Sequence, residues 1–183
     1  MALIFEQETR NAALTKVAEK MLTAARTAPK GKGKDNITLA IADKDEIKLI
    51  AAKMQELAEK GIAPEFYNRD AENILASEVL VLIGTKIKPM GLSYCGLCGF
   101  ENCAAKEKFP DHPCVFNTGD LGIAVGSAVS VAMDCRVDNR IMYSVGMAVR
   151  DMGILGEENK IILGIPLSST GKSPFFDRVW PKR

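Results

Sequence analysis

Four of the five cysteines fall between positions 95 and 114, as Cys95-Gly-Leu-Cys98-Gly-Phe-Glu-Asn-Cys103 followed by Cys114. The spacing, C-x2-C-x4-C-x10-C, offers four thiolates from one segment. A C-x2-C turn sets two sulfurs on one side of a tight loop. Gly96 and Gly99 permit positive φ there and let backbone N–H groups turn toward sulfur. Cys103 and Cys114 supply the remaining corners. Four thiolates are what a [4Fe–4S] or [2Fe–2S] cluster requires, and hydrogen bonds to them tune its potential. Zinc also takes four cysteines, but a zinc ribbon draws on a second C-x-x-C pair, which Cys103 and Cys114 do not form. A redox-active C-x-x-C is a third reading; it normally opens a helix in a thioredoxin-like unit and leaves two thiols unused. The spacing departs from both the bacterial and the plant-type ferredoxin runs. The pattern favours an iron–sulfur cluster on Cys95, Cys98, Cys103 and Cys114, with zinc as the alternative.

Other chemistry is sparse. His112 is the single histidine, too few for a multi-histidine metal site, and nothing in its spacing favours a Ser-His-Asp triad or a Cys-His pair; beside Pro113 it reads as a solvated loop side chain rather than a substitute ligand. Cys135 stands apart at the end of an apolar helical stretch and reads as a packed structural thiol. Ser169-Thr-Gly-Lys-Ser173 looks like the end of a phosphate-binding loop. Position 166 is proline where that motif needs glycine, and Pro174 blocks the helix that would hold phosphate. Lys172 and Arg178 are left as loose anion contacts. The basic run Lys30–Lys34 reads as a flexible surface turn. No G-x-G-x-x-G follows a strand, so a Rossmann dinucleotide site is unsupported.

Composition narrows the function further. The 24 basic and 23 acidic side chains leave a net charge of +1, no bulk field for nucleic acid or an anionic membrane. Apolar residues at 47% and charged residues at 26% are ordinary for a globular chain. The longest apolar stretch, Leu121–Met133, falls short of the ~20 residues a bilayer needs. Met1-Ala-Leu-Ile-Phe5, followed by Glu6, lacks the positive flank of a signal peptide. A cytoplasmic chain with reduced thiols is expected.

The elements that must position the cysteines follow from periodicity. Leu14, Val17, Ala18, Met21, Leu22 and Ala25 mark an amphipathic helix over Arg10–Arg26. Ile37–Ile41 reads as a short buried strand. Asp43 caps a second helix with Ile47, Ile50, Ala51, Met54 and Leu57 on one face and Gly61 at its end. Val79–Gly84 is an unbroken apolar strand, suited to a sheet covered on both faces. The irregular stretch 91–117 carries the cysteines. A small-residue helix then starts at Thr118-Gly119-Asp120, another helix spans Asn139–Met152, and Lys160–Ile165 is a third strand. This alternation predicts an α/β (or α+β) fold with a mixed sheet flanked by helices. One domain over 1–183 is expected, with 91–117 as an inserted Cys-rich loop.

The cysteine run resembles the C-G-x-C-G-x-x-x-C run of the corrinoid iron–sulfur protein type of [4Fe–4S] module. Over its whole length the chain resembles the family of ferredoxin-domain-containing proteins, through this loop, the Asp120-Leu-Gly-Ile-Ala helix and the Gly164-Ile-Pro-Leu…Gly171-Lys172-Ser173 ending. The frame resembles a nitroreductase, on Ala24-Ala-Arg-Thr-Ala-Pro29 before a strand, Asp120–Ala124 opening a helix, and Leu163-Gly-Ile-Pro166. That resemblance implies a homodimer holding FMN at the subunit interface, with Lys172 and Arg178 at the positions of C-terminal phosphate contacts. It departs where the flavin phosphate would sit: the arginine-serine-arginine cluster is absent, and Gly33 stands where an asparagine is expected. Gly122, Gly126 and Ala128 permit a close helix pair across a dimer, or equally a buried helix within one subunit. The expected function is ferredoxin-like electron transfer from a [4Fe–4S] cluster to a partner protein, a small-molecule acceptor or a bound cofactor. An FMN-dependent reductase and a zinc-stapled binding module are the alternatives.

Overall fold

The computed structural model describes residues 3–176. The chain runs α1 (Glu6–Thr27), β1 (Ile37–Ala42), α2 (Lys44–Glu59), α3 (Phe66–Leu75), β2 (Val79–Lys86), α4 (Cys103–Glu107), α5 (Val115–Asp134), β3 (Asp138–Asn139), α6 (Tyr143–Asp151) and β4 (Asn159–Ser168). A four-stranded sheet in the order β1-β2-β4-β3 divides it.

Strand β2 explains the layering. Its residues alternate between two separate cores. Val79, Val81 and Ile83 join Leu14, Ala18 and Met21 of α1 and Leu121, Ala124 and Ala128 of α5. Leu80 and Leu82 join Ile47, Ile50 and Met54 of α2, Ala71 and Ile74 of α3, and Val145 and Val149 of α6. The continuous apolar run is therefore a strand covered on both faces, as its composition predicts.

The α/β class is as expected, but every strand pair among the described residues is antiparallel, not mixed. The reason is α3, which the sequence reading lacks. With two helices between them, β1 and β2 enter the sheet from opposite ends. Asp43 caps α2 as predicted, accepting from the N–H groups of Asp45 and Glu46. The helix expected over Asn139–Met152 begins only at Tyr143, because Asp138 and Asn139 pair with β4 and Met142 bridges to Gly164. Helix α5 starts at Val115, three residues ahead of the predicted Thr118. By length and composition α5 meets the requirement for a membrane span, more than the Leu121–Met133 stretch suggests. Its Leu121, Ala124, Val125, Ala128 and Ala132 are buried against the core.

Two local devices hold the frame. Gly146 brings α6 onto the backbone of β4: a Cβ there would lie 1.7 Å from the Ile162 carbonyl oxygen. Arg26, in the last turn of α1, binds the Asp35 carboxylate and the Ile37 carbonyl (3.0 Å), fastening the helix to the start of β1. Burial opposes ionisation of Asp35. The Arg26 hydrogen bond, the Ile37 N–H and the charges of Arg26 and Lys30 outweigh it and hold the carboxyl below its ordinary range.

Gly146→Ala is expected to destabilise the fold by about 3 kcal/mol, because backbone must move to admit the methyl group; the urea midpoint measures it. Since the Asp35 pKa is depressed in the folded state, its contribution is complete above the ordinary aspartate value of about 3.9 and fades as pH falls through the lowered value. The thermal midpoint of wild type should therefore exceed that of Asp35→Asn near neutrality, and the gap should close as pH falls through the lowered Asp35 value.

Candidate iron–sulfur site

Between the end of β2 and the start of α5 the chain makes only one short helix, α4. This Cys-rich segment is clamped at its base. Asn117, on the first turn of α5, accepts the Lys88 N–H at 2.8 Å. Lys32 and Lys34 both donate to the Met90 carbonyl, at 3.4 and 3.3 Å. Buried Asp120 accepts the Gly31 N–H at 3.0 and 3.1 Å, joining the basic turn to α5. Lys30 donates to the carbonyls of Ala25, Arg26 and Ala28 at the end of α1. The Lys30–Lys34 run is thus not the loose surface turn its composition suggests. Its lysines are committed to carbonyl groups, and they hold the segment in place.

Within the segment, Gly96 and Gly99 take φ of 144° and 86°, which a side chain would resist. The two turns of the C-x2-C loop depend on them. Asn102 caps α4 through the Ala105 N–H at 2.9 Å, so Cys103 is the first residue of that helix. Cys103 Sγ accepts the Leu92 N–H at 3.3 Å. Cys114 is the N-cap residue of α5. Phe100 stacks on Phe109 with ring centroids 5.3 Å apart, and exposed His112 meets both edge-on. This makes His112 a packing residue of the loop surface.

All five cysteines are free thiols; Cys103 and Cys114 are buried, while Cys95, Cys98 and Cys135 are half-buried. Cys135 packs against the α1–α5 core. The structure brings Cys95, Cys98, Cys103 and Cys114 onto one clamped segment. It does not draw them into one ligand group: among the described residues, no three Cys, His, Asp or Glu side chains gather closely enough to hold a metal ion. The donor set nevertheless fits a thiolate-bound cluster in kind, with four uncommitted sulfurs, one of them already accepting a backbone N–H. A cavity of about 320 Å³ lies against Cys95, lined by Leu92, Tyr94, Gly96, Leu97 and Phe116. Of the other predicted contacts, Lys172 is exposed on the turn after β4, and Arg178 lies outside the described residues.

Sequence reasoning missed Lys106. Its side chain is 1% exposed, and its ammonium donates to the Pro110 carbonyl at 3.4 Å. Its position three residues after Cys103 was the available sign, since that spacing shares one helix face. The buried residues of α4 are Cys103 and Lys106. Also missed was Asn117, whose Nδ2 is buried without a hydrogen-bond partner among the described residues.

The family DUF2148, described as "Uncharacterized protein containing a ferredoxin domain", matches residues 111–178, which include Cys114 and begin after the other three cysteines. A protein of Archaeoglobus fulgidus, described as uncharacterized, is 41% identical over 189 residues, covering 99% of this chain and 100% of its own length. Among solved structures, the nitroreductase CinD from Lactococcus lactis in complex with nicotinic acid aligns with a TM-score of 0.62 at 15% identity, over 92% of this chain and 84% of that one. A nitroreductase with bound FMN from Desulfitobacterium hafniense aligns with a TM-score of 0.58 at 14% identity, over 93% and 81%. A BluB-like flavoprotein from Clostridium difficile gives 0.55 at 20% identity, over 92% and 84%. At these identities the structural matches establish the nitroreductase-like fold. The ferredoxin-domain match supports an iron–sulfur redox role. On a relative that aligns end to end and a family match over its C-terminal part, the chain belongs to the ferredoxin-domain-containing family, built on a nitroreductase-like frame.

Proposed function

We propose that the protein is a ferredoxin-like electron carrier in which Cys95, Cys98, Cys103 and Cys114 hold one [4Fe–4S] cluster on an inserted segment, residues 91–117. The observation that carries this reading is the concentration of four free thiols on one clamped segment of a ferredoxin-domain protein. Bound there, the cluster supplies reversible one-electron transfer to a partner protein or a small-molecule acceptor. The chain's own part is to orient the sulfurs and to tune their charge. Gly96 and Gly99 shape the loop, the Leu92 N–H meets Cys103, and Cys114 sits where the start of a 20-residue helix favours negative charge. Thiols that must stay reduced to hold a cluster suit a cytoplasmic setting.

A second reading follows from the fold. An FMN bound between two copies would make the protein a reductase, with the cluster feeding the flavin and with Lys172 and Arg178 at its phosphate. The outer face of α5 supports the pairing. Gly119, Gly122 and Gly126 have open space beside them, and Ile123 and Met133 are 46% and 62% exposed.

Anaerobic purification followed by iron, acid-labile sulfide and zinc analysis tests the first reading. About four iron and four sulfide per chain are expected; stoichiometric zinc without sulfide would overturn it in favour of a zinc-stapled module. Serine at any of Cys95, Cys98, Cys103 or Cys114 should lower cluster content several-fold, whereas Cys135→Ser should leave it unchanged. In the metal-free chain, a thiol reagent should modify Cys95 and Cys98 before Cys103 and Cys114, with mass mapping as the readout. The flavin reading requires FMN in the acid extract, and a protein that takes up no FMN on reconstitution would remove it.

A further inference from the structure

Lys106 is the largest fully buried charged side chain among the described residues, and it lies in the middle of the cysteine segment. Its polar contact is one neutral carbonyl, that of Pro110, at the long distance of 3.4 Å. No described carboxylate lies within ion-pair distance of it; Asp111, the residue after Pro110, pairs with Lys160 instead. A cation taken out of water normally has an anion or several strong acceptors beside it. Lys106 has neither. Helix α4 turns two residues inward, Cys103 and Lys106, and their i,i+3 spacing stacks one over the other. The anion missing from the lysine's surroundings is of the kind the neighbouring thiols would provide. Four thiolates around zinc, or around an oxidised iron–sulfur core, leave a net dianion. Reduction by one electron adds a further negative charge with no covalent bond made or broken.

We propose that the Lys106 ammonium is the built-in counter-charge of the group held by the cysteine segment, favouring its retention and raising its reduction potential. The inference rests on the cysteine assignment above and deepens it. Attraction between the ammonium and the group grows as the group gains negative charge, so the reduced state benefits more than the oxidised one. Replacing the charge must then lower the midpoint potential. The same replacement in the metal-free chain removes a buried, uncompensated cation, and there it must stabilise. The opposite signs in the two states separate a counter-charge from a side chain that merely fills space.

The test uses the full chain, wild type against Lys106→Met, Lys106→Gln and Lys106→Arg, each reconstituted with iron and sulfide. Dithionite supplies the electrons in a mediated redox titration. Lys106→Met and Lys106→Gln are expected to shift the one-electron equilibrium toward the oxidised form by about tenfold, 59 mV, while Lys106→Arg stays near wild type. Their thermal midpoints should rise in the metal-free chain and fall in the loaded one. If the wild type takes up a cluster and both neutral variants keep its potential, with midpoints moving the same way in both states, the counter-charge role is wrong and the cluster assignment stands. If the wild type loads zinc but no cluster, the electron-carrier reading falls. The lysine is then judged by zinc retention, which should weaken about tenfold in Lys106→Gln, and unchanged retention overturns the proposal. A wild type that holds neither overturns both. Lys106→Gln keeps a donor for Pro110, so misfolding of Lys106→Met alone leaves the comparison intact.

Discussion

A strand whose side chains are buried on both faces has only its two edges free for backbone hydrogen bonds, and that constraint governs this molecule. From Val79 to Thr85 every residue of β2 is buried. Its polar backbone is satisfied by β1 along one edge and β4 along the other, both antiparallel. Covering one face requires the α1–α5 pair, and covering the other requires α2, α3 and α6. The close seating of α6, with Gly146 over the Ile162 carbonyl, follows from the same demand for a closed second layer.

The cysteine segment starts where this constraint ends. Beyond Lys86 the chain leaves the sheet, and side chains take over its attachment to the rest of the fold. Asn117 meets Lys88, two lysines meet Met90, and Asp120 ties the basic turn to α5. A loop without regular ladder bonds is thereby joined to the packed layers through α5 and the basic turn that α5 holds. The rigid frame and the chemically equipped loop are separate pieces of the chain, and α5 belongs to both.

Elements governed by local periodicity were legible in the sequence: α1 from its repeating Leu14, Ala18, Met21 and Ala25, α2 from Asp43 and its apolar stripe, and β2 from its unbroken run. Helix α3 was hidden because its inward face carries Asp70 among Tyr67, Ala71 and Ile74. That charge is bound by Arg69 and by the Ser144 hydroxyl, a partner 74 residues away. The pairing of Asp138 and Asn139 with β4 is likewise a long-range contact that a helical pattern masks. At the candidate site, the sequence places four thiol donors between positions 95 and 114, and the structure carries them there as free side chains. The clamp on the segment and the burial of Lys106 could not be read from the sequence, since lysines in a charged loop look alike until packing distinguishes them.

Cys114 is the junction between the two pieces: its sulfur belongs to the loop, and its backbone precedes the first turn of α5. Any ion or cluster that grips this sulfur would also hold the opening of the helix on which both the α1 layer and the basic turn rest. Occupancy of the loop and cohesion of the whole domain then become one linked equilibrium. Loss of the inorganic group would register far from the loop, as a loosening of the helical layer against the sheet.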